Sequence, residues 1–251
     1  MNTISQVFIV LMLFAFALSF MAKVREQEKL YFPLKLIKSV IFVMCGCVSI
    51  KVACDGVSWL FLFVLGLVFG LLGDVALDIK RIQENDKTPT MIEGANLIEA
   101  NRSLKAGMIF FFVGHLCYII AFADMLKFSI KVWVIALIVM VLLFLVLWFI
   151  ETKLKFLKVN FGSNADAVYI YNVILSVLLG LMIGYFLTTG SPIAKHLLGS
   201  IALFYLSDFI LIFNYFSPLK EKKAIKVFEM LNHLTYYAAQ LGIALVPLFF
   251  I

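Results

Sequence analysis

Eight apolar runs, each about 20 residues long, constrain this chain more than any other feature. They cover approximately residues 4–22, 33–53, 56–79, 106–126, 131–150, 166–188, 195–216 and 229–250. An α-helix needs about 20 mostly apolar residues to cross the hydrocarbon core of a bilayer, and a helix satisfies its own backbone there. The expectation is an all-α integral membrane bundle of eight transmembrane helices. No connection is long enough for a separate soluble domain, so residues 1–251 read as a single transmembrane helical domain. The second run opens at Pro33, a tolerated first-turn position. The first run has the length of a secretory leader, but no positive charge precedes it. Lys23 and Arg25 follow it and no A-x-A site is present, so it reads as a retained helix.

A net charge of +6 would suit a nucleic-acid partner, but the position of the charges excludes that reading. They sit at the ends of the apolar runs, where they set orientation and meet anionic lipid. Of the 21 Lys and Arg residues, only Lys51, Lys127, Lys131 and Lys195 flank the even-numbered connections. The other seventeen flank the odd-numbered ones, which the positive-inside bias makes cytoplasmic. Both termini are then expected outside, in a bacterial inner membrane or an endoplasmic reticulum. The polar connection at 80–105 carries both signs of charge and reads as a surface loop or a lid. Cys45, Cys47, Cys54 and Cys117 form no C-x-x-C pair and read as small packing residues. Gly66-x-x-x-Gly70 and Gly180-x-x-x-Gly184 read as helix-contact faces, and the wholly apolar fifth run as lipid-facing.

Ionisable side chains are costly in a bilayer interior and usually face a bundle interior or a water-filled cavity. Here they are Asp74 and Asp78 in the third run, His115 in the fourth and Asp208 in the seventh, joined by Tyr118, Tyr236 and Gln240. At 1.5 Å per residue, Asp74 lies about 8 Å from the inner end of its run, Tyr236 about 11 Å, Asp208 about 12 Å and His115 about 13 Å. Four helices thus offer polar groups at one level. Asp74 and Asp78 are i and i+4, His115 and Tyr118 are i and i+3, and Tyr236 and Gln240 are i and i+4, so each pair shares a face. Structural roles compete with functional ones. Asp78 is close enough to the interface to be solvated, His115 could bond a neighbouring carbonyl, and the tyrosines could be structural donors. His196 and His233 read as interfacial. A weak echo relates LGLVFGLLGD (65–74) to LGSIALFYLSD (198–208), consistent with a 4+4 parallel repeat that sets one Asp from each half near a shared axis.

Four elements of the chain resemble the YhhN-like lysoplasmalogenase family. They are GLLGDVALD (70–78), FFFVGHLCYIIAF (110–122), FYLSDFIL (204–211) and LTYYAAQLGIAL (234–245), in order and on the corresponding helices. Many members carry Lys-Pro at the start of the second helix. This chain has FPLKLIKSV (32–40), leaving Lys35 and Lys38 as the candidate lysines. The resemblance implies hydrolysis of the vinyl ether bond of lysoplasmalogens to a fatty aldehyde and a glycerophospho-ethanolamine or -choline, without an organic cofactor or metal. The implied partners are a lysophospholipid substrate and membrane lipids. This chemistry needs a proton delivered to the alkenyl carbon and an ionised group that stabilises the resulting cation and activates water, by the logic of two-carboxylate glycoside cleavage. Asp74 and Asp208 fit that pair. Asp78, His115, Tyr118, Tyr236 and Gln240 are the candidates for holding water or the glycerol oxygens, and Lys35 or Lys38 for meeting the phosphate, against plain snorkelling of both lysines.

Other readings fit less well. An intramembrane aspartyl protease shares a Gly-Asp element, but the second glycine is misplaced and no Pro-Ala-Leu motif is present. A zinc amidase needs clustered histidines, and the three here are spread along the chain. A lipid or ion carrier with Asp proton sites is the main alternative. Polar groups gathered at one depth favour a single chemical site over a path through the membrane.

Overall fold

The structure is a computed structural model and describes residues 3–25, 27–53, 59–85, 95–217 and 222–250. It contains α1 (Thr3–Val24), α2 (Glu28–Ala53), α3 (Trp59–Asn85), α4 (Ala95–Leu126), α5 (Ile130–Thr152), α6 (Ala165–Thr189), α7 (Pro192–Phe216) and α8 (Lys222–Ala244). No strand occurs among the described residues. Seven of these helices are long and apolar enough to cross a membrane. The fold class and the helix count agree with the apolar runs. The eighth helix, α8, is long enough but falls short in hydropathy, because Asn232, His233, Tyr236 and Gln240 interrupt it.

Several boundaries differ from the sequence reading. The stretch at 80–105 is mostly helix: α3 continues to Asn85 and α4 starts at Ala95, leaving 86–94 outside the described residues. Good helix formers such as Ala95, Leu97, Glu99 and Leu104 explain the extension, with Pro89 and Gly94 falling between the two helices. Helix α2 opens at Glu28, not at Pro33, which lies in its second turn. The Gln27 carbonyl accepts from the backbone N–H groups of Leu30 and Tyr31, so the first turn is formed before the proline forgoes its one bond. Pro192 occupies the first turn of α7, and the Ser191 hydroxyl caps it by accepting from the Ala194 N–H. Helix α8 stops at Ala244, where Pro247 disfavours continuation and Val246–Phe250 form a 3₁₀ turn.

Packing runs in antiparallel neighbours, α1 with α2, α3 with α4, α5 with α6 and α7 with α8, while α8 also meets α1 and α2. The apolar core contains Phe42, Phe63, Leu67, Phe122, Leu178, Leu181 and Met182, all fully buried. Helix α5 buries only Val132, Ala136, Leu147 and Ile150. Most of its other Leu, Val and Ile side chains, such as Leu137, Ile138, Leu142 and Val146, point outward, a surface that suits lipid and would be a liability in water. Gly180 and Gly184 of α6 lie directly on the α5 backbone, as their spacing implied. A Cβ at Gly180 would stand 2.6 Å from Ala136 Cα and 2.9 Å from its carbonyl oxygen. Backbone cannot step aside, so Gly180→Ala is expected to cost about 1–3 kcal/mol of stability. Gly199 meets nothing within 4 Å, and Gly199→Ala is the control expected to leave thermal unfolding unchanged or slightly later.

Candidate active site

Asp74 is 4% exposed and accepts two hydrogen bonds, from Ser39 Oγ of α2 at 2.6 Å and from the Tyr236 hydroxyl of α8 at 2.9 Å. One turn on, Asp78 receives Lys35 Nζ at 2.8 Å, and the same ammonium lies 3.9 Å from Asp74. Tyr237 donates to the Lys35 carbonyl at 3.2 Å and stands 3.2 Å from the Ser39 hydroxyl. Helices α2, α3 and α8 are therefore joined by one polar network, in which each buried group has a partner. Asp208 comes from the opposite side, on α7, and its carboxylate accepts the Tyr171 hydroxyl of α6.

These groups surround a cavity of about 270 Å³, whose wall includes Lys35, Asp74, Asp78, Asp208, Tyr236 and Tyr237, with Asn214, Asn232 and His233. Beside it, between α4, α6 and α7, lies a smaller and almost wholly apolar pocket of about 60 Å³ lined by Leu104, Met108, Val168, Leu175 and Ile212. Leu77, Phe111, Asp208, Leu211 and Tyr215 belong to both. Asp208 thus stands on the boundary between a charged chamber and a greasy one. That arrangement can hold an amphiphile with its polar end by Lys35 and its apolar end by Leu175, and present a carboxyl group to the bond between them.

Residues 37–246 match the profile of the YhhN family, most of the chain. The chain belongs to the YhhN family. YhhN is the lysoplasmalogenase family. Comparisons with curated proteins and with solved structures return no match. The YhhN match spans Asp74, Asp78, Asp208 and Tyr236 and opens two residues after Lys35.

Of the polar residues singled out in this YhhN chain, Lys35, Asp74, Asp78, Asp208 and Tyr236 line the cavity together. Asp78 is ion-paired and buried at 7% exposure, not solvated at an interface. Gln240 lies one turn behind Tyr236, donating to its hydroxyl at 3.1 Å and accepting from Tyr118 at 3.4 Å. It supports Tyr236 without lining the cavity. His115 and Tyr118 do not line it either. Phe204 packs edge-on against Phe111, Tyr236 and His115, at ring separations of 6.3, 5.4 and 4.6 Å, and so stands between the histidine and the chamber. Neither ring nitrogen of His115 makes a hydrogen bond of good geometry, the Phe111 carbonyl one turn back offering only a looser contact. Lys38 turns away altogether: it donates to Ser19 of α1 at 2.9 Å and lies 4.2 Å from the Tyr237 ring centre. Three residues beyond Lys35, it is rotated about 60° off that face. Between the two candidate lysines, the cavity takes Lys35.

Other residues of the YhhN site escaped the sequence reading. Ser39 shares the face of Lys35 at i+4, a spacing that could have exposed it. His233, read as interfacial, lines the cavity and hydrogen-bonds the Tyr31 hydroxyl at 2.8 Å. Asn232 bonds both the carbonyl and the hydroxyl of Ser207. With Tyr236, Tyr237 and Gln240 these residues form a stripe at i, i+1, i+4, i+5 and i+8 on α8, legible as a helical period. Tyr171 was reachable by depth, since it lies six residues into α6, about 9 Å along.

Proposed function

We propose that this YhhN protein is a lysoplasmalogenase, hydrolysing the vinyl ether bond of lysoplasmalogens, with its Lys- and Arg-rich end in the cytoplasm and both termini outside. The observation that carries the reading is the position of Asp208 on the wall shared by the charged cavity and the apolar pocket. The cavity offers both signs of charge, Lys35 against Asp78 and Glu229, which suits a zwitterionic phosphoethanolamine head group. The apolar pocket suits the alkenyl chain. The vinyl ether joins these two parts of the substrate, and it would then lie at Asp208 with Asp74 across the chamber.

In the proposed reaction one of the two carboxyl groups, protonated, gives its proton to the second alkenyl carbon. The double-bond electrons form the new C–H bond, leaving an oxocarbenium ion at the carbon attached to oxygen. The other carboxylate faces this cation and takes a proton from the water that adds to it. In the collapse of the hemiacetal, the carboxyl that took the water proton gives it to the glycerol oxygen as the C–O bond breaks, while the carboxylate that gave the first proton takes the hemiacetal hydroxyl proton. The glycerol oxygen leaves as a hydroxyl, the chain departs as an aldehyde, and both groups return to their starting states. Tyr236, held by Gln240, and Ser39 fix the orientation of Asp74.

The test is aldehyde release by the purified protein from lysoplasmenylethanolamine and from its saturated alkyl ether. Release is expected from the alkenyl lipid alone, because protonation has no double bond to act on in the other. A folded protein that yields no aldehyde from any alkenyl lysolipid would refute the assignment.

A further inference from the structure

A third hollow, of about 300 Å³, lies between α4 and α6. Its sides carry Ile109 and Ile170, which are 60% and 59% exposed, and Phe112. At one end stand Lys105, Ser163 and Asp166. Met108 and Tyr171 belong to this groove and also to the apolar pocket behind it.

We propose that the groove is a docking site where a zwitterionic lysophospholipid waits before reaching Asp208. Its phosphate would meet Lys105, its ammonium Asp166, and its single chain the trough of Ile109, Phe112 and Ile170. The proposal rests on the lipid-hydrolase reading and adds to it a second lipid site and a route. Charge complementarity identifies the occupant: one cation and one anion sit above an apolar trough, where an apolar peptide would leave both unmet. Lys105 lies where α4 passes from its polar N-terminal stretch into its apolar run, the level at which a head group meets a helix. Continuity gives the route, since Met108 and Tyr171 are the shared wall. The Tyr171 hydroxyl bonds Asp208, so a chain that pushes this ring aside also frees the carboxylate it is about to meet.

The experiment uses the full chain in detergent micelles with Ile170→Trp as reporter, after subtraction of the signal from the unsubstituted chain. The probe is a saturated alkyl-ether lysophosphoethanolamine, which cannot react, carrying a doxyl quencher on its chain. Saturable quenching is expected, weakened about tenfold by Lys105→Glu and severalfold by the milder Asp166→Asn. The diacyl doxyl lipid is expected to quench without saturation. Equal quenching by both lipids, unmoved by either variant, would make the groove an ordinary lipid contact and overturn the proposal. Aldehyde release separates the two readings. With the alkenyl lipid, Lys105→Glu is expected to raise KM about tenfold and keep kcat. An unchanged KM in an active protein overturns the docking groove alone, whereas an inactive wild type overturns the hydrolase and leaves the quenching to report docking by itself.

Discussion

Asp208→Asn is expected to lower aldehyde release about 10²–10⁴-fold while leaving the bundle folded. The amide has the size of the carboxyl and still offers an oxygen to Tyr171. Asp208 makes no ion pair among the described residues, so removing its charge strands no cation. What disappears is the capacity to give or hold a proton at the boundary of the two chambers. Asp74→Asn is expected to lose a comparable factor with less clean interpretation, because Asp74 also accepts from Ser39 and Tyr236 and lies 3.9 Å from Lys35. Initial rates on lysoplasmenylethanolamine, with thermal unfolding measured on the same preparations, check both variants. An Asp208→Asn protein working within a few-fold of wild type would remove this residue from the chemistry and leave the cavity as a binding chamber only.

The second large effect concerns stability. Lys35 is the cation of the cavity's carboxylate cluster, 2.8 Å from Asp78 and 3.9 Å from Asp74, and both side chains of the closer pair are 9% exposed. Lys35→Met keeps most of the aliphatic length and removes the ammonium. Asp74 and Asp78 then face the cavity without their shared counter-charge, a situation that costs about 3–5 kcal/mol when fully desolvated. The chamber is large enough to admit water, so the expected loss is at the lower end, about 3 kcal/mol. Adding Asp78→Asn is expected to return a substantial part of that loss, since it removes the carboxylate left unpaired. Reversible unfolding of the two single variants and the double variant gives the coupling. If Lys35→Met unfolds like wild type, water already screens the pair and the ion pair does not hold α2 to α3.

How much of this was legible in the sequence depended on which physical signal carried each part. Hydropathy marked the helices that face lipid and overlooked helix formed by polar residues, which is why α3 and α4 reach into the 80–105 stretch. Depth counting brought Asp74, Asp208 and Tyr236 to one level, and all three line one cavity. His115 shares that depth but points to the other side of Phe204, because depth fixes position along a helix axis and says nothing of rotation about it. Lys35 and Lys38 show the same limit: equal chemistry three residues apart, one in the cavity and one bonded to α1. Rotation is decided by packing against neighbours that the sequence does not pair. The stripe on α8 is the exception, since its own period announces its face.

The low hydropathy of α8 has a consequence for how the protein is made. A segment carrying Asn232, His233, Tyr236 and Gln240 gains little by partitioning into lipid alone, where each unpaired polar group costs free energy. Its polar groups find their partners on helices synthesised earlier: Asn232 on Ser207, Tyr236 on Asp74 and Gln240 on Tyr118. Biogenesis therefore has a built-in order, with α2, α3, α4 and α7 in place before the last helix can settle among them. A chain truncated before α8 would be left with a water-accessible cleft in place of a chamber, and the cellular quality-control machinery would meet Asp74 exposed at its wall. The cavity that holds Asp74 and Asp208 therefore closes only once α8 has packed against them.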